Sequence, residues 1–106
     1  MRPKLNNKLT DFEKRVLAEL LHIPAGRVTT YARLALRIGQ PRASRAVGNA
    51  LNKNPDAPLV PCHRVVKSDG SVGGYEFGID QKIKLLKKEG VIVREGKVLN
   101  FREILI

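Results

Sequence analysis

Residues 30–53 read TYARLALRIGQPRASRAVGNALNK and predict two helices joined by a short turn. Thr30 is a typical helix N-cap, and the apolar residues after it recur at helical spacing. Gly39 followed by Pro41 ends this helix and opens the next one, which we expect over residues 42–53. The inner face of the first helix is expected to consist of Tyr31, Leu34, Ala35 and Ile38. This pattern is typical of a helix-turn-helix, although two ordinary core helices produce it as well.

The second of these helices has an apolar side and a polar side. The apolar side is formed by Ala43, Ala46, Val47, Ala50 and Leu51. The polar side, at steps of three, four and three residues, is formed by Arg42, Arg45, Asn49 and Asn52. Side chains at these steps point the same way from a helix. Guanidinium and amide groups suit phosphates and base edges, so this side is a candidate nucleic-acid-binding surface.

The charge balance points to the same class of partner. Twenty Lys and Arg residues against ten Asp and Glu residues give a net charge of +10. Between Arg27 and Lys67, eight basic residues face one acid, Asp56, so this segment carries +7 of the +10. A polyanion is the natural partner, and nucleic acid is favoured over an anionic membrane surface. A solvated basic surface is the alternative.

Length and composition restrict the class of protein. A chain of 106 residues with 42% hydrophobic residues is expected to form one domain around one core. No apolar run approaches the roughly 18 to 20 residues of a membrane span. Residues 1–8 are polar and lack a signal-peptide segment, and a single cysteine permits no intrachain disulfide. We therefore expect a protein that is neither membrane-bound nor secreted.

Two more helices and a hairpin are predicted outside residues 30–53. Thr10 and Glu13 form a capping-box pattern before a helix over residues 11–22. Asp80 is the expected N-cap of a last helix over residues 81–89, whose inner face is expected to include Ile79, Ile83 and Leu86. The hairpin is expected between the short apolar segments 91–93 and 97–99. The chain is thus predicted to be mainly α with a short hairpin.

The single cysteine lies in the sequence Pro61-Cys62-His63-Arg64. A lone cysteine is most often a small buried apolar residue. Here His63 and Arg64 bring positive charge beside the sulfur, and cations favour the thiolate, which is the nucleophilic form. His63 can also accept the thiol proton, directly or through a water. Cys62 and His63 are therefore a candidate nucleophile and base, while a buried structural histidine is the alternative for His63.

Metal and nucleotide chemistry are disfavoured. Zinc requires about four ligands, and the soft candidates Cys62, His63 and His22 form neither a CxxC nor an HExxH motif. The glycines of residues 70–78 make neither GxGxxG nor a P-loop. We expect no metal and no cofactor.

The segment VPCHRVV at residues 60–66, followed by Gly73-Gly74-Tyr75, resembles the active-site signature of the O6-alkylguanine-DNA alkyltransferases (methylated-DNA–protein-cysteine methyltransferases). The resemblance covers about residues 12–90. It implies a helix-turn-helix, winged-helix-like domain with an active-site loop. It also implies one catalytic and DNA-binding domain over residues 1–106, without the N-terminal domain that the family usually carries.

The resemblance further implies a reaction and a role for each matching residue. A cysteine takes the alkyl group from guanine O6 of double-stranded DNA in one irreversible displacement. By position, Cys62 is the nucleophile, His63 activates it through a water, and Glu89 orients His63. The residues implied to contact the flipped guanine are Tyr31, Val65, Tyr75 and Lys82. The resemblance implies that Arg45 fills the gap left by the base and that Asn54 is the hinge between the two parts. We expect Arg42, Asn49 and Arg33 to bind DNA as well.

One loop departs from the family pattern. After Tyr75 the family commonly has Ser-Gly-Gly, whereas this chain has Glu76-Phe77-Gly78. An ionised glutamate only accepts hydrogen bonds, so only its backbone N–H could stabilise the departing oxygen.

The short chain and this loop also resemble the alkyltransferase-like proteins. Those proteins bind alkylated guanine without repairing it and recruit nucleotide excision repair, and their cysteine is typically replaced. Because Cys62 is present, we expect a repair transferase acting once, as a monomer, in the cytoplasm near the nucleoid or in the nucleus. The alternatives are a lesion sensor that works with other repair proteins, and a helix-turn-helix regulator without chemistry.

Overall fold

The computed structural model describes residues 9–106, so the expectation for residues 1–8 lies outside the described part of the chain. The helices are α1 (Asp11–Leu20), α2 (Tyr31–Arg37), α3 (Ser44–Leu51), α4 (Ile79–Lys88) and α5 (Phe101–Ile104). The strands are β1 (Thr29–Thr30), β2 (Val65–Val66), β3 (Val93–Arg94) and β4 (Lys97–Val98), and a 3-10 turn covers Cys62–Arg64. The domain is mainly helical, as predicted. None of the helices in residues 9–106 has the length and apolarity that crossing a membrane requires.

The predicted capping box opens α1. The hydroxyl of Thr10 accepts from the Glu13 N–H at 3.1 Å, and the Glu13 carboxylate accepts from the Thr10 N–H at 2.9 Å. The helix ends at Leu20, two residues before the predicted end. The reason is that the next N–H groups bond three residues back instead of four, as in the 3.1 Å bond from His22 to Glu19, just before Pro24.

The two helices predicted in residues 30–53 are present, and the second is shorter than predicted. Thr30 caps α2 by accepting from the Arg33 N–H at 3.1 Å. Residues 41–43 form a turn instead of the first turn of α3, since the Ala43 N–H bonds to Gln40 O at 3.0 Å. The polar side is exposed as predicted, with Arg42 just before α3, Arg45 and Asn49 on it, and Asn52 just after it.

The prediction for α4 is wrong at its first turn. The helix begins at Ile79, so Asp80 lies inside it, and the N-cap is Gly78 with a φ of 97°. Ile79 is 47% exposed, whereas Lys82 is 1% exposed. Lys82 can be buried because its ammonium group donates to two backbone carbonyls while its aliphatic stem packs inside.

The predicted hairpin is formed by β3 and β4, with Val93 opposite Val98. Glu95 and Gly96 at its tip have φ values of 52° and 76°. Positive φ at both central residues is the signature of a type I′ turn, which matches the twist of a two-residue hairpin.

A parallel pair that the sequence did not predict joins the two halves of the chain. Thr29 pairs with Val65 and Thr30 pairs with Val66. Successive strand residues point to opposite faces. Val65 therefore packs into a core with α1, α2 and α3, and Val66 packs into a second core with α4 and the hairpin. The 3-10 turn that contains Cys62 immediately precedes β2, so both cores fix its position.

The first core is expected to dominate stability. Replacing Leu17, which is fully buried there, by Ala should lower the free energy of unfolding by about 2–5 kcal/mol, because the cavity cannot close completely. Leu21→Ala, one turn further on at a side chain that is 50% exposed, should cost about 0.5 kcal/mol or less. Urea titration of both variants measures the difference, and equal losses would contradict this account of the core.

Candidate active site

A cleft of about 530 Å³ opens between α2, α3, the Cys62 turn and the loop after Gly73. Its size lies within the range of small-molecule sites, about 300–1,000 Å³. It is lined by Tyr31, Gly48, Asn49, Leu51, Asn52, Cys62, Gly74, Tyr75 and Glu76. The cysteine proposed from the sequence therefore lies on the wall of a cleft large enough for a nucleobase.

The segment before Cys62 is fixed by Asn54, which is 5% exposed. The Asn54 side-chain amide donates to Val60 O at 2.7 Å, and its oxygen accepts from the Asp56 N–H at 3.0 Å. The Cys62 N–H donates to Val60 O at 2.9 Å. Asn54 follows α3 closely, so it connects the end of that helix to the turn that holds the sulfur.

A carboxylate shared by two side chains lies behind the Cys62 turn. Glu89 follows α4, and its Oε2 lies 3.0 Å from His63 Nε2. Arg64 donates to both Glu89 oxygens, from Nε at 3.0 Å and from a terminal nitrogen at 2.6 Å. The other terminal nitrogen of Arg64 donates to Ile23 O at 2.6 Å. This network connects the turn, α4 and the segment after α1.

The network also sets the protonation of His63. Burial alone would raise the pKa of Glu89, but the hydrogen bonds from Arg64 and His63 lower it further than burial raises it, so the group is ionised. An ionised carboxylate only accepts, so the Nε2 of His63 carries the proton and Nδ1 has the free lone pair. Nδ1 is buried and has no hydrogen-bond partner within residues 9–106. Burial lowers the pKa of His63 despite Glu89, which keeps the ring neutral at neutral pH and leaves the lone pair of Nδ1 free to accept a proton.

The sulfur itself is protonated at neutral pH. Burial raises the pKa of the Cys62 thiol. Contacts with Asn54 and Tyr75 and the charge of Lys82 lower it, but by less than burial raises it. The thiol therefore needs a proton acceptor to become a nucleophile. Burial and the nearby sulfur also raise the pKa of Tyr31, and they raise that of Tyr75 to about 12. Both phenols keep their protons and can donate hydrogen bonds in the cleft.

Two predicted substrate contacts lie behind the cleft wall. Val65 is fully buried in the first core, and Lys82 donates from its buried ammonium to Gly74 O at 3.1 Å and also to Val72 O. Burial lowers the pKa of Lys82 to about 8. Neither residue is among the described residues that line the cleft. Their direct contact with a substrate stays a prediction.

Gly73 brings the loop close to Tyr31. Its φ is 73°, and a Cβ at this position would lie 3.2 Å from the Tyr31 hydroxyl oxygen. A side chain here would be both strained and crowded. The glycine therefore permits the close approach of the loop to the phenol.

The exposed side of α3 is continuous with the cleft. Arg42, Arg45 and Asn49 are exposed, and Asn49 also lines the cleft. Arg33 is exposed on α2. Asn49 therefore joins the exposed side of α3 to the cleft of the predicted nucleophile, whereas Arg33 lines a separate depression with Leu36, Arg37 and Ile106.

Sequence reasoning missed some of the site. Asn52 was predicted on the polar side of the helix and Glu76 in the loop after Tyr75, but the sequence did not show that both line the cleft. The pairing of Arg64 with Glu89 was missed, because a separation of 25 residues leaves no local signal. Within residues 9–106, no group of three or more His, Cys, Asp or Glu side chains is arranged to hold a metal ion.

Comparison with known proteins identifies the family. Residues 11–91 match the family profile "6-O-methylguanine DNA methyltransferase, DNA binding domain". A methylated-DNA–protein-cysteine methyltransferase of Methanosarcina barkeri is 52% identical over 86 residues, which cover 81% of this chain and 54% of that protein. This chain thus spans about half the length of the curated methyltransferase relatives it matches.

Two solved structures have the same fold. Mycobacterium tuberculosis OGT in complex with DNA is 45% identical with a TM-score of 0.78, over 84% of this chain and 55% of that one. S. pombe Atl1 in complex with damaged DNA containing O6-carboxymethylguanine is 28% identical with a TM-score of 0.81, over 93% of this chain and 97% of that one. Together with the match over residues 11–91, these similarities show that the chain belongs to the 6-O-methylguanine DNA methyltransferase family.

Proposed function

We propose that the protein repairs DNA by moving an alkyl group from O6 of guanine in double-stranded DNA to the sulfur of Cys62, irreversibly and once per molecule. The observation that carries this proposal is that the Cys62 thiol and the polar side of α3 meet in one cleft. Two relatives named methylated-DNA–protein-cysteine methyltransferase, which are 52% and 51% identical in sequence to this chain, support the same reaction.

The chemical step is a displacement at the alkyl carbon. His63 Nδ1 takes the thiol proton through a water, and Glu89 stabilises the imidazolium that forms. The sulfur then bonds to the alkyl carbon as the bond from that carbon to O6 breaks, and the electron pair of that bond stays on the guanine. The proton that His63 received returns to the guanine through water, which restores the neutral imidazole and completes the balance. Hydrogen bonds donated by the Tyr31 and Tyr75 hydroxyls favour the departure of the guanine. The thioether that remains on Cys62 ends the reaction.

The target base must leave the stack for its O6 to reach a buried sulfur, which costs a few kcal/mol. In our proposal Arg45 fills the resulting gap, while Arg42, Asn49 and Arg33 hold the backbone. We infer that α2 and α3 form the helix-turn-helix, with the β3–β4 hairpin as a wing. The small residues of α3 suit docking in the minor groove, whose degenerate base code fits a protein that ignores sequence.

The remaining roles concern positioning. Asn54 would act as the hinge between α3 and the Cys62 turn, while Val65 and Lys82 would hold the cleft wall from behind. We propose that the chain acts as a monomeric catalytic and DNA-binding domain without a cofactor. Its proposed location is the cytoplasm near the nucleoid, or the nucleus.

A binding-only lesion sensor is the second candidate. The structural likeness to S. pombe Atl1 in complex with damaged DNA, with a TM-score of 0.81, favours it, as does the Glu76-Phe77-Gly78 loop. Such a sensor would pass the lesion to other repair proteins. The presence of Cys62 beside a neutral histidine favours transfer.

The first test is the fate of the sulfur. Incubation with a duplex that contains O6-methylguanine should add one methyl group to the peptide of Cys62, as measured by mass spectrometry. Cys62→Ala should lose transfer and keep DNA binding. Tight binding with an unmodified cysteine would instead establish the sensor.

The second test separates DNA engagement from chemistry. Arg45→Ala should slow transfer from duplex DNA by about tenfold or more, because the extruded base can then fall back into the stack. Reaction with free O6-alkylguanine should change little. Arg102→Ala, which removes the same charge on α5, is the matched control. Equal losses on both substrates would refute the proposed role of Arg45.

The third test uses pH. His63 must be neutral to accept a proton, and its pKa is lowered, so the single-turnover rate at saturating DNA should fall only below pH 6.5. In Glu89→Gln the favourable charge is lost, which lowers the pKa of His63 further, so the acidic limb should move to still lower pH. The plateau rate should fall by about 100-fold, since nothing stabilises the imidazolium. An unmoved acidic limb would contradict the proposed relay.

A further inference from the structure

Glu76 differs in charge from the rest of the cleft wall. The other described lining residues are tyrosines, asparagines, glycines, Leu51 and the protonated Cys62, all uncharged at neutral pH. A glutamate carries a full negative charge there. In a chain with a net charge of +10, the cleft beside the proposed nucleophile therefore bears a negative charge.

The field of Glu76 reaches the interior of the cleft. Tyr75 precedes Glu76 in the chain and lines the same cleft. Its pKa is raised first by burial, then by the sulfur of Cys62, and also by the charge of Glu76. Two lysines lie near the start of this loop, since a Cβ on Gly73 would be 3.5 Å from the side chain of Lys67 and 3.8 Å from Lys82 Nζ. Lys82 donates to the carbonyls of Val72 and Gly74, and neither lysine is among the described residues that line the cleft. Among the described lining residues, Glu76 is therefore the charged group that a substituent in the cleft would meet.

We propose that Glu76 determines specificity by disfavouring O6-alkyl groups that end in a carboxylate, relative to uncharged groups of the same shape. This inference rests on the proposed binding of O6-alkylguanine in the cleft. An anionic substituent would approach both the Glu76 carboxylate and the sulfur as it becomes a thiolate. Like charges about 7 Å apart repel enough to change a rate or an affinity by about threefold in water. Because Glu76 is exposed, salt screens its charge, so the effect is largest at low ionic strength.

Two substrates of nearly equal shape isolate the charge. Single-turnover rates are measured on duplexes that carry O6-carboxymethylguanine or its neutral amide, O6-carbamoylmethylguanine. The ratio of the two rates removes effects of Glu76 on DNA binding that both substrates share. In Glu76→Gln the carboxymethyl-to-carbamoylmethyl ratio should rise by about threefold or more over wild type. Glu103→Gln, which removes an exposed charge on α5, should leave the ratio unchanged.

A binding readout keeps this test independent of transfer. In the Cys62→Ala background, the ratio of dissociation constants for the same two duplexes should respond to Glu76→Gln in the same direction. If transfer fails on every substrate while the binding ratio responds, the proposed reaction is wrong and the specificity role of Glu76 stands. If transfer proceeds while neither ratio responds to Glu76→Gln, the reaction stands and the specificity role is overturned.

Discussion

The carboxylate of Glu89 is the constraint on which the rest of the site depends. It accepts from an imidazole and a guanidinium in a mostly buried position, and the same guanidinium holds the carbonyl of Ile23. A partly buried charge is stable only when its partners satisfy it, and removing one partner leaves the others unpaired. One carboxylate therefore fixes the turn that holds the sulfur, the end of α4 and the tautomer of His63 at the same time.

The site combines a protected sulfur with a nearby base. Burial keeps Cys62 in the thiol form, which does not react, and burial also keeps His63 neutral and able to accept a proton. The same physical effect thus keeps both groups uncharged at rest, but it also widens the gap between their pKa values. Moving the proton from the sulfur to His63 therefore depends on the charge of Glu89, which raises the pKa of the imidazole. Burial also raises the pKa values of Tyr31 and Tyr75, so both phenols remain protonated and can donate hydrogen bonds in the cleft.

Sequence reasoning predicted the parts whose signals are local. The capping box at Thr10, the helix pair after Thr30, the hairpin and the Cys62–His63 pair all follow from short spacings. The β1–β2 pair was missed because two-residue strands carry no periodicity, and the partners Thr29 and Val65 lie far apart in sequence. The inner face of α4 was misassigned at Ile79, because a buried lysine satisfied by carbonyls cannot be distinguished from a solvated one in sequence. The role of Glu89 as the partner of His63 was predicted from a family resemblance. Its pairing with Arg64 is visible only in the three-dimensional structure.

The parallel pairing of Thr29–Thr30 with Val65–Val66 has a consequence for how the molecule is assembled. Contacts between residues distant along the chain close late, because the intervening loop must lose its freedom first. The reactive turn ends at this junction and also needs Glu89, so it reaches its working geometry only after both halves of the chain have come together. In the proposed function, transfer to the sulfur therefore requires complete folding, because only then do His63 and Glu89 come together beside the Cys62 turn.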